Sequence, residues 1–194
     1  YFPDALIKLF YYYTLSYELG DNNRKAELYE EIMKYFFGNK FQKLGTGTNR
    51  VAFRRGWFVF KIALDRRGYI DNLVEAKRSV EAPNFLALTY ETNGLIAVSE
   101  YVNLLSADDF MKYQYQILEL LSELAKRYIF GDMGYTKKNY CNFGMRSRMD
   151  YKKQRVYNSF VVLDYAYMHP RYGNEEALVC PNCGGKIEYN AMYT

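Results

Sequence analysis

Cysteine, histidine, tryptophan and proline are the scarce residues of this 194-residue sequence, with three, one, one and four copies. Three cysteines are too few for a disulfide framework, which indicates a reducing compartment, and we expect a cytoplasmic protein. The sole histidine, His169, lies beside Pro170 and is interpreted as a loop residue rather than a metal ligand. No uninterrupted apolar run approaches the roughly 20 residues of a membrane span, so we expect no membrane partner.

A strong net charge is also lacking, since the formal charge is only +4. A nucleic-acid-binding protein usually has a denser basic surface, so nucleic acid is not an expected partner, although residues 137–155 are locally basic. Hydrophobic residues at 49% and charged residues at 25% are typical of a soluble globular protein. Aromatic residues are abundant at 19%, nearly all of them Tyr and Phe, which can serve both core and surface.

Helix and strand signals divide the chain. Pro3 in a first turn and Gly20 after a last turn predict a helix over residues 3–19, and a second helix over 24–37 completes a helical hairpin. We interpret this hairpin as a packing element, with a docking surface as the alternative. The patterns after it predict strands at 41–44, 51–53, 57–62, 85–90 and 95–101, a helix at 71–80 capped by Asp71, a long helix at 107–127, and short strands at 128–130, 141–144 and 160–163.

A glycine-bearing turn joins the first two predicted strands, with the sequence KLGTGTNRV over residues 43–51. Gly45 and Gly47 let the backbone approach an anion closely, and successive N–H groups can then bind phosphate oxygens. The same pattern also occurs in ordinary hairpins. By itself it is a weak indication of a phosphate site.

A lysine interrupts the third predicted strand, in the sequence Val59-Phe60-Lys61. Lys61 lies on the same face as Val59 because side chains alternate along a strand. A lysine on a covered face is unfavourable unless it is paired, and Glu75 on the following helix is a candidate partner. The alternative is an exposed lysine on an edge strand and a solvated glutamate.

Together these residues resemble the protein-kinase-like family. Gly45 and Gly47 resemble its glycine-rich loop, which would cover the phosphates of ATP. Lys61 resembles the strand lysine that holds the α- and β-phosphates, and Glu75 the helix glutamate that orients that lysine. The resemblance covers residues 41–166 and implies ATP and Mg²⁺ as cofactors.

The resemblance to the kinase-like family also includes the site where adenine would bind. Glu100 and Val102 fall where the family's hinge reads adenine through backbone groups. Val51 and Val59 fall where apolar side chains lie on either side of the base.

The sequence VVLDYA at residues 161–166 resembles the family's metal-binding D-F-G segment. The resemblance implies that Asp164, together with Asn142, binds Mg²⁺, a hard cation that prefers oxygen ligands. It also implies that Asp132 orients the attacking hydroxyl as the catalytic base.

The implied fold is α+β: a two-lobed kinase-like fold with a five-stranded antiparallel N-lobe sheet, a reduced helical C-lobe and an N-terminal helical hairpin. The corresponding division is a hairpin at 1–40, an N-lobe at 41–102, a C-lobe at 103–175 and a tail at 176–194. The short, divergent form resembles kinase-like proteins of bacteriophages. If a phage encodes the chain, the host cytoplasm or the virion becomes the expected location.

Two departures from the family put catalysis in doubt. Asn139 and Asn142 both lie further from Asp132 than the family's metal-binding asparagine does, and a basic insertion at 146–155 follows. Few residues remain after Asp164 for the helices that bind a peptide substrate. A minimal kinase or an inactive kinase-like protein therefore fits better than a full peptide kinase.

The tail contains the sequence CPNCGG at residues 180–185. Cys180 and Cys183 resemble one knuckle of a zinc ribbon, which implies Zn²⁺ as a further ligand. A structural zinc site needs four ligands, and Cys141 can supply a third only if the fold brings it near. The alternative is a reactive or idle pair of thiols.

Three functions are consistent with the sequence. The first is an ATP-dependent phosphotransferase acting on a protein or a small hydroxyl acceptor. The second is a catalytically inactive kinase-like scaffold, a structural component of a larger assembly with an unidentified protein partner. The third, which we rank last, is a nucleic-acid-associated protein that uses residues 137–155 and the knuckle.

Overall fold

The structure is a computed structural model that describes residues 3–130, 140–150 and 152–170. Over these residues the chain is a mixed α+β protein with five α-helices, one 3₁₀ turn and ten β-strands. The helices are α1 Asp4–Glu18, α2 Asn22–Gly38, α3 Arg66–Glu81, α4 Ala107–Lys112 and α5 Gln114–Ala125. The strands are β1 Gln42–Thr46, β2 Arg50–Arg55, β3 Phe58–Ala63, β4 Thr89–Thr92, β5 Ile96–Glu100, β6 Asn103–Leu104, β7 Tyr128–Phe130, β8 Phe143–Asp150, β9 Arg155–Val162 and β10 Met168–Pro170.

The chain divides into two compact units. Unit 1 comprises Tyr1–Glu81 and Leu88–Tyr101, and unit 2 comprises Ala82–Ala87 and Val102–Thr194. Unit 1 contains α1 to α3 and a five-stranded antiparallel sheet in the order β1-β2-β3-β5-β4. Unit 2 contains α4, α5, a three-stranded sheet β6-β8-β9 and the pair β10-β7.

The helical hairpin of unit 1 has local signals at each end. Gly20 ends α1 with a φ of 72°, a left-handed conformation that glycine adopts at little cost. The side chain of Asp21 accepts a hydrogen bond of 3.0 Å from the N–H of Arg24, which caps the start of α2. The sequence predicted both helices to within about two residues at each end.

The two faces of the five-stranded sheet differ in chemistry. Along β2 and β3, the cross-strand pairs Val51–Ile62 and Phe53–Phe60 lie on one face, whereas Ala52 and Lys61 pair on the other. The first face packs against the hairpin, where the rings of Phe36 and Phe53 stack at 4.5 Å. The buried members of this core are Leu6, Phe10, Tyr13, Leu28, Ile32, Phe36, Phe41, Val51, Phe53, Ile62, Leu95 and Ile96.

Helix α3 lies on the other face of the sheet and begins earlier than predicted. The side chain of Asp65 accepts a hydrogen bond of 2.7 Å from the N–H of Gly68 and so caps the helix. The prediction of Asp71 as the cap is therefore wrong, because Asp71 lies within the helix and is buried. Gly68 is required here, since a Cβ would overlap the carbonyl oxygen of Asn49.

Unit 2 has its own hydrophobic core. Residues of α4, α5 and the strand pair β8–β9 contribute to it, and Arg146 is buried where it donates hydrogen bonds to the carbonyls of Pro83 and Leu86, the second at 2.5 Å. A capping box of Ser106 and Asp109 begins α4. The core consists of Ala82, Leu86, Ala87, Val102, Leu105, Phe110, Ile117, Leu120, Leu121, Leu124, Tyr128, Phe143, Val161, Val162, Tyr165 and Met168.

Several predicted elements differ in extent from the structure. The fourth strand begins at Thr89, not at residue 85. The long helix is divided at Tyr113 into α4 and α5. The two short strands predicted at 141–144 and 160–163 extend into the basic insertion as β8 and β9, an antiparallel pair with register from Phe143–Val162 to Asp150–Arg155.

Among the described residues, no helix combines the length and the apolar character that a bilayer crossing requires.

Adjacent phenylalanines of α2 provide a test of the hairpin's packing. Phe36 is fully buried, whereas Phe37 is 56% exposed. We expect Phe36→Ala to lower the free energy of unfolding of unit 1 by about 3–5 kcal/mol, because it removes a ring and leaves a cavity. Phe37→Ala should cost less than about 1 kcal/mol in the same urea titration. Equal losses in the two variants would contradict the described packing.

Candidate functional site

Lys61 lies in the middle of β3, on the sheet face that α3 covers. Its cross-strand neighbours are Ala52 on β2 and Ala97 on β5. Two alanines leave room beside a long side chain, so that Lys61 extends between small neighbours toward α3. The predicted alternative of an exposed lysine on an edge strand is excluded, because β3 is the central strand of the sheet.

Glu75 of α3 is the partner of Lys61. The Lys61 ammonium lies 2.5 Å from Glu75 Oε2, and the Glu75 side chain has no solvent exposure, whereas the Lys61 side chain keeps 17%. A second cation also contacts the carboxylate, since Arg50 Nη2 lies 2.9 Å from Glu75 Oε1. Each carboxylate oxygen therefore has its own positively charged donor.

Glu75 keeps its negative charge although its side chain is buried. Burial alone would raise the pKa of a carboxyl group, but the positive charges and hydrogen bonds of Arg50 and Lys61 outweigh it and lower the pKa of Glu75 from 4.5 to about 2. Glu75 is thus ionised throughout the physiological range. The three side chains together carry one net positive charge on the face of the sheet that α3 covers.

Further polar side chains hold α3 against the sheet around this ion pair. Asn72, which is buried, donates hydrogen bonds to the carbonyl of Gly94 at 2.8 Å and to that of Lys61 at 3.3 Å. Asn49 donates to Asp71 at 3.4 Å, and Ser79 Oγ accepts from the N–H of Thr89 at 3.2 Å. These contacts fix the rotation of α3 and hence the direction in which Glu75 points.

The glycine-bearing turn closes tightly between β1 and β2. The N–H of Gly47 donates a hydrogen bond of 2.8 Å to the carbonyl of Arg50, and the pairing register shifts between Lys43 and Gly45. A Cβ on Gly45 would meet nothing within 4 Å, and one on Gly47 would make only an ordinary contact of 3.6 Å. The fold therefore does not itself require glycine at either position.

One expected adenine contact is corrected by the strand register. Val51 is fully buried in the core against the helical hairpin, on the face opposite to Lys61 and Val59. Two residues on opposite faces cannot flank one ligand, so Val51 is not a partner of Val59. Ala52 is the β2 residue on the face of Lys61 and Val59. The alternation of large apolar side chains at Val51 and Phe53 is the sequence signal that indicates it.

The predicted hinge residues lie where the chain passes from unit 1 to unit 2. Glu100 ends β5, where its carboxylate accepts a hydrogen bond of 2.7 Å from the N–H of Leu88. Its own N–H donates to the carbonyl of Leu88 at 2.9 Å. Val102 is a buried residue of unit 2. The side chain of Glu100 thus links the end of β5 to the backbone at Leu88.

Within unit 2, the predicted magnesium ligands are near neighbours. Strands β8 and β9 end together at the pair Phe143–Val162, and beyond it the N–H of Leu163 donates a hydrogen bond of 2.8 Å to the carbonyl of Asn142. Asp164 follows directly after Leu163. The strand pairing therefore brings Asn142 and Asp164 to the same end of the β8–β9 pair.

The residue after Asp164 anchors this segment. Tyr165 is fully buried, and its hydroxyl donates a hydrogen bond to the carbonyl of Ala87. Ala166 is also buried. These contacts fix the backbone on the C-terminal side of the Asp164 carboxylate.

Three predicted site residues, Asp132, Cys180 and Cys183, lie outside the described residues. Their proposed roles in catalysis and zinc binding stay predictions. Cys141 is exposed. Within residues 3–130, 140–150 and 152–170, no group of three or more His, Cys, Asp or Glu side chains could hold a metal ion.

No protein-family model matches the sequence, and no curated protein matches it. Among solved structures, the chain is similar to a Rio2 kinase–ADP/Mg²⁺–phosphoaspartate complex from Chaetomium thermophilum, with 15% identity and a TM-score of 0.42. The match covers 78% of this chain and 54% of that one, so this chain spans about half the length of that kinase.

The depressed pKa of Glu75 gives a prediction for acid stability. A carboxyl group with a lowered pKa stabilises the folded state above its ordinary pKa, and that stability is lost as the pH falls from 4.5 toward 2. The shift corresponds to about 3 kcal/mol. We expect the free energy of unfolding, measured between pH 6 and 2, to fall less with pH in Glu75→Gln than in the unmodified chain.

The exposed glutamate Glu30 on α2 supplies a matched control for that measurement. Glu30→Gln should keep the pH dependence of the unmodified chain. A Glu75→Gln variant with the same pH dependence as Glu30→Gln would show that Glu75 is not held in the ionised state by its two cations.

Proposed function

We propose that this chain is a kinase-like protein that binds ATP with Mg²⁺ and transfers the γ-phosphate to a hydroxyl group of a protein or a small molecule. The observation that carries the proposal is the ion pair between Lys61 and the fully buried Glu75, with 2.5 Å between the charged atoms. In the kinase-like family that the sequence resembles, such a lysine contacts the α- and β-phosphates and such a glutamate orients it.

The ion pair supports a ligand-binding role because it is a poor means of stabilising a fold. Removing a lysine and a glutamate from water is unfavourable, and apolar side chains of similar volume are often at least as stabilising. Here Lys61 lies between Ala52 and Ala97, two small neighbours that would also tolerate an apolar side chain in its place. An ammonium group held at such a position serves a further purpose, and binding phosphate oxygens is the purpose that the resemblance implies.

Gly45 near the end of β1 and Gly47 just after it support the same role. Gly45 and Gly47 have space for a Cβ, so packing does not account for them. A phosphate group would account for them, because its oxygens need to approach the backbone N–H groups without an intervening side chain. Arg50 and Lys61, which follow in β2 and β3, add positive charge to the same unit.

The adenine would be bound by apolar side chains and by the backbone. We assign the apolar contact to Val59 and Ala52, which share the face of Lys61. Glu100 would contribute its carbonyl and Val102 its backbone groups, because the carboxylate and the N–H of Glu100 are already hydrogen-bonded to Leu88.

Asp164 and Asn142 fit a magnesium site by their chemistry, since both carry side-chain oxygens and they neighbour each other at the end of β8–β9. When bound, Mg²⁺ and ATP supply the phosphoryl group and the charge that neutralises its oxygens. Asp132 is proposed to accept a hydrogen bond from the acceptor hydroxyl and to direct its oxygen toward the γ-phosphate. Catalysis of this kind consists mainly of positioning and charge neutralisation.

A specific observation favours a second candidate, an inactive kinase-like scaffold in a larger assembly. Helix α1 exposes aromatic side chains, with Tyr11 58% and Tyr12 51% exposed, and Leu19 directly after the helix is 74% exposed. Exposed apolar clusters of this kind mark contacts with other proteins. In this alternative, Lys61 and Glu75 would bind a nucleotide for structural reasons or none at all.

Nucleotide binding is the first test. We expect isothermal titration with ATP and Mg²⁺ to show binding, and Lys61→Met to weaken it roughly 10- to 100-fold, the effect of losing a charge-assisted hydrogen bond. Lys77→Met, which removes an exposed lysine of α3, should leave the affinity unchanged. No binding by the unmodified chain, or equal losses in both variants, would contradict the proposal.

Phosphate transfer separates the enzyme from the scaffold. With γ-labelled ATP and Mg²⁺, we expect label to reach the chain itself or an added hydroxyl acceptor, and Asp164→Asn to reduce the rate by roughly 100-fold or more through loss of a metal ligand. Asp108→Asn, an exposed aspartate of α4, is the control. A chain that binds ATP yet labels nothing would favour the scaffold.

A further inference from the structure

Glu75 has one more cation than the kinase-like assignment requires. That assignment explains a lysine on β3, but Arg50 on β2 contacts the same carboxylate. Arg50 is the first residue of β2, and its side chain is only 13% exposed. A buried arginine that is not explained by the proposed nucleotide contacts calls for a reason of its own.

The two cations occupy different oxygens of Glu75. Arg50 Nη2 donates to Oε1 at 2.9 Å and Lys61 Nζ to Oε2 at 2.5 Å, so neither displaces the other. The guanidinium of Arg50 also donates to Asn72 Oδ1 at 3.5 Å, one turn of α3 before Glu75. Arg50 thus contacts two residues of the same helix through a planar, permanently charged group.

Lysine and arginine differ in how readily they change partners. The lysine ammonium is a compact charge on a flexible stem, whereas the guanidinium donates in a fixed fork. A lysine that binds phosphate has to share its donors between the phosphate and its glutamate. If Lys61 were the only cation at Glu75, each shift toward phosphate would leave a buried carboxylate less compensated, which is strongly unfavourable.

We propose that Arg50 is a positioning residue: it is the permanent counter-ion of Glu75, and it thereby lets Lys61 turn its ammonium toward the phosphates of a bound nucleotide. That a phosphate binds Lys61 rests on the proposed function. That Arg50 is the counter-ion of Glu75 rests on the observed contacts. It differs from a direct role of Arg50 as a phosphate ligand, since Arg50 acts here only through the charge of Glu75.

A double-mutant cycle tests this dependence on Glu75. We expect Arg50→Met to weaken the binding of ATP with Mg²⁺ about tenfold in the unmodified chain. In a Glu75→Gln background the same substitution should change the affinity less than about twofold, because no buried charge remains to be compensated. Equal losses in both backgrounds would indicate a direct contact of Arg50 with the nucleotide and would overturn the proposal, as would no loss in either.

Arg55→Met is the matched control, since Arg55 is an exposed arginine of the same strand and contacts the ring of Phe41 rather than Glu75. It should leave the ATP affinity unchanged in both backgrounds. If Arg50→Met does not fold, Arg50→Gln removes the charge while it keeps a hydrogen-bond donor, and the same cycle applies.

Acid unfolding without nucleotide distinguishes failure of this inference from failure of the proposed function. We expect the midpoint pH of acid unfolding to rise further in Arg50→Met than in Lys61→Met, since the permanent counter-ion protects the carboxylate more. If the unmodified chain binds no ATP, the proposed function fails and the acid midpoints alone decide the role of Arg50. A rise in Arg50→Met that is equal to or smaller than that in Lys61→Met would overturn it.

Discussion

A carboxylate without solvent exposure sets the constraint on which the rest of unit 1 depends. Glu75 can stay ionised in the interior only because Arg50 and Lys61 each contact one of its oxygens. The three charges come from β2, β3 and α3, so these elements have to keep a fixed register relative to one another. Hydrogen bonds from Asn72 to the backbone of the sheet, and the close approach of Gly68 to Asn49, maintain that register.

The two faces of the five-stranded sheet differ: one packs into the apolar core, and the other carries the ion pair of Lys61 and Glu75. One face is closed by the helical hairpin, whose aromatic core includes the stacked rings of Phe36 and Phe53. The opposite face carries Lys61 between two alanines, with α3 above it. A functional side chain is positioned best when rigid elements support it. The apolar face therefore supports the charged one, because it fixes the strands that present the ammonium group.

Local patterns in the sequence predict the parts of the fold and site that depend on nearby residues. Both hairpin helices follow from their caps, and the pairing of Lys61 with Glu75 follows from a charge in an apolar strand. The alternation of side chains along β2, in which Val51 and Phe53 share the apolar face, would also have excluded Val51 from the face of Lys61. Arg50 was missed because nothing local distinguishes a buried arginine from an exposed one, and only the tertiary approach of α3 gives it a partner. The outer half of the β8–β9 pair was missed for a similar reason, since its charged sequence lacks the apolar alternation of a covered strand.

The central proposal is that Lys61 binds nucleotide phosphate and that Asp164 and Asn142 bind Mg²⁺. Diffraction from crystals grown with Mn²⁺ and a non-hydrolysable ATP analogue tests it most directly, because the anomalous signal of manganese locates the metal. The account predicts a manganese ion about 2–2.5 Å from a carboxylate oxygen of Asp164, and a phosphate oxygen within hydrogen-bonding distance of Lys61 Nζ. A nucleotide bound elsewhere, with no phosphate near Lys61 and no metal at Asp164, would contradict it.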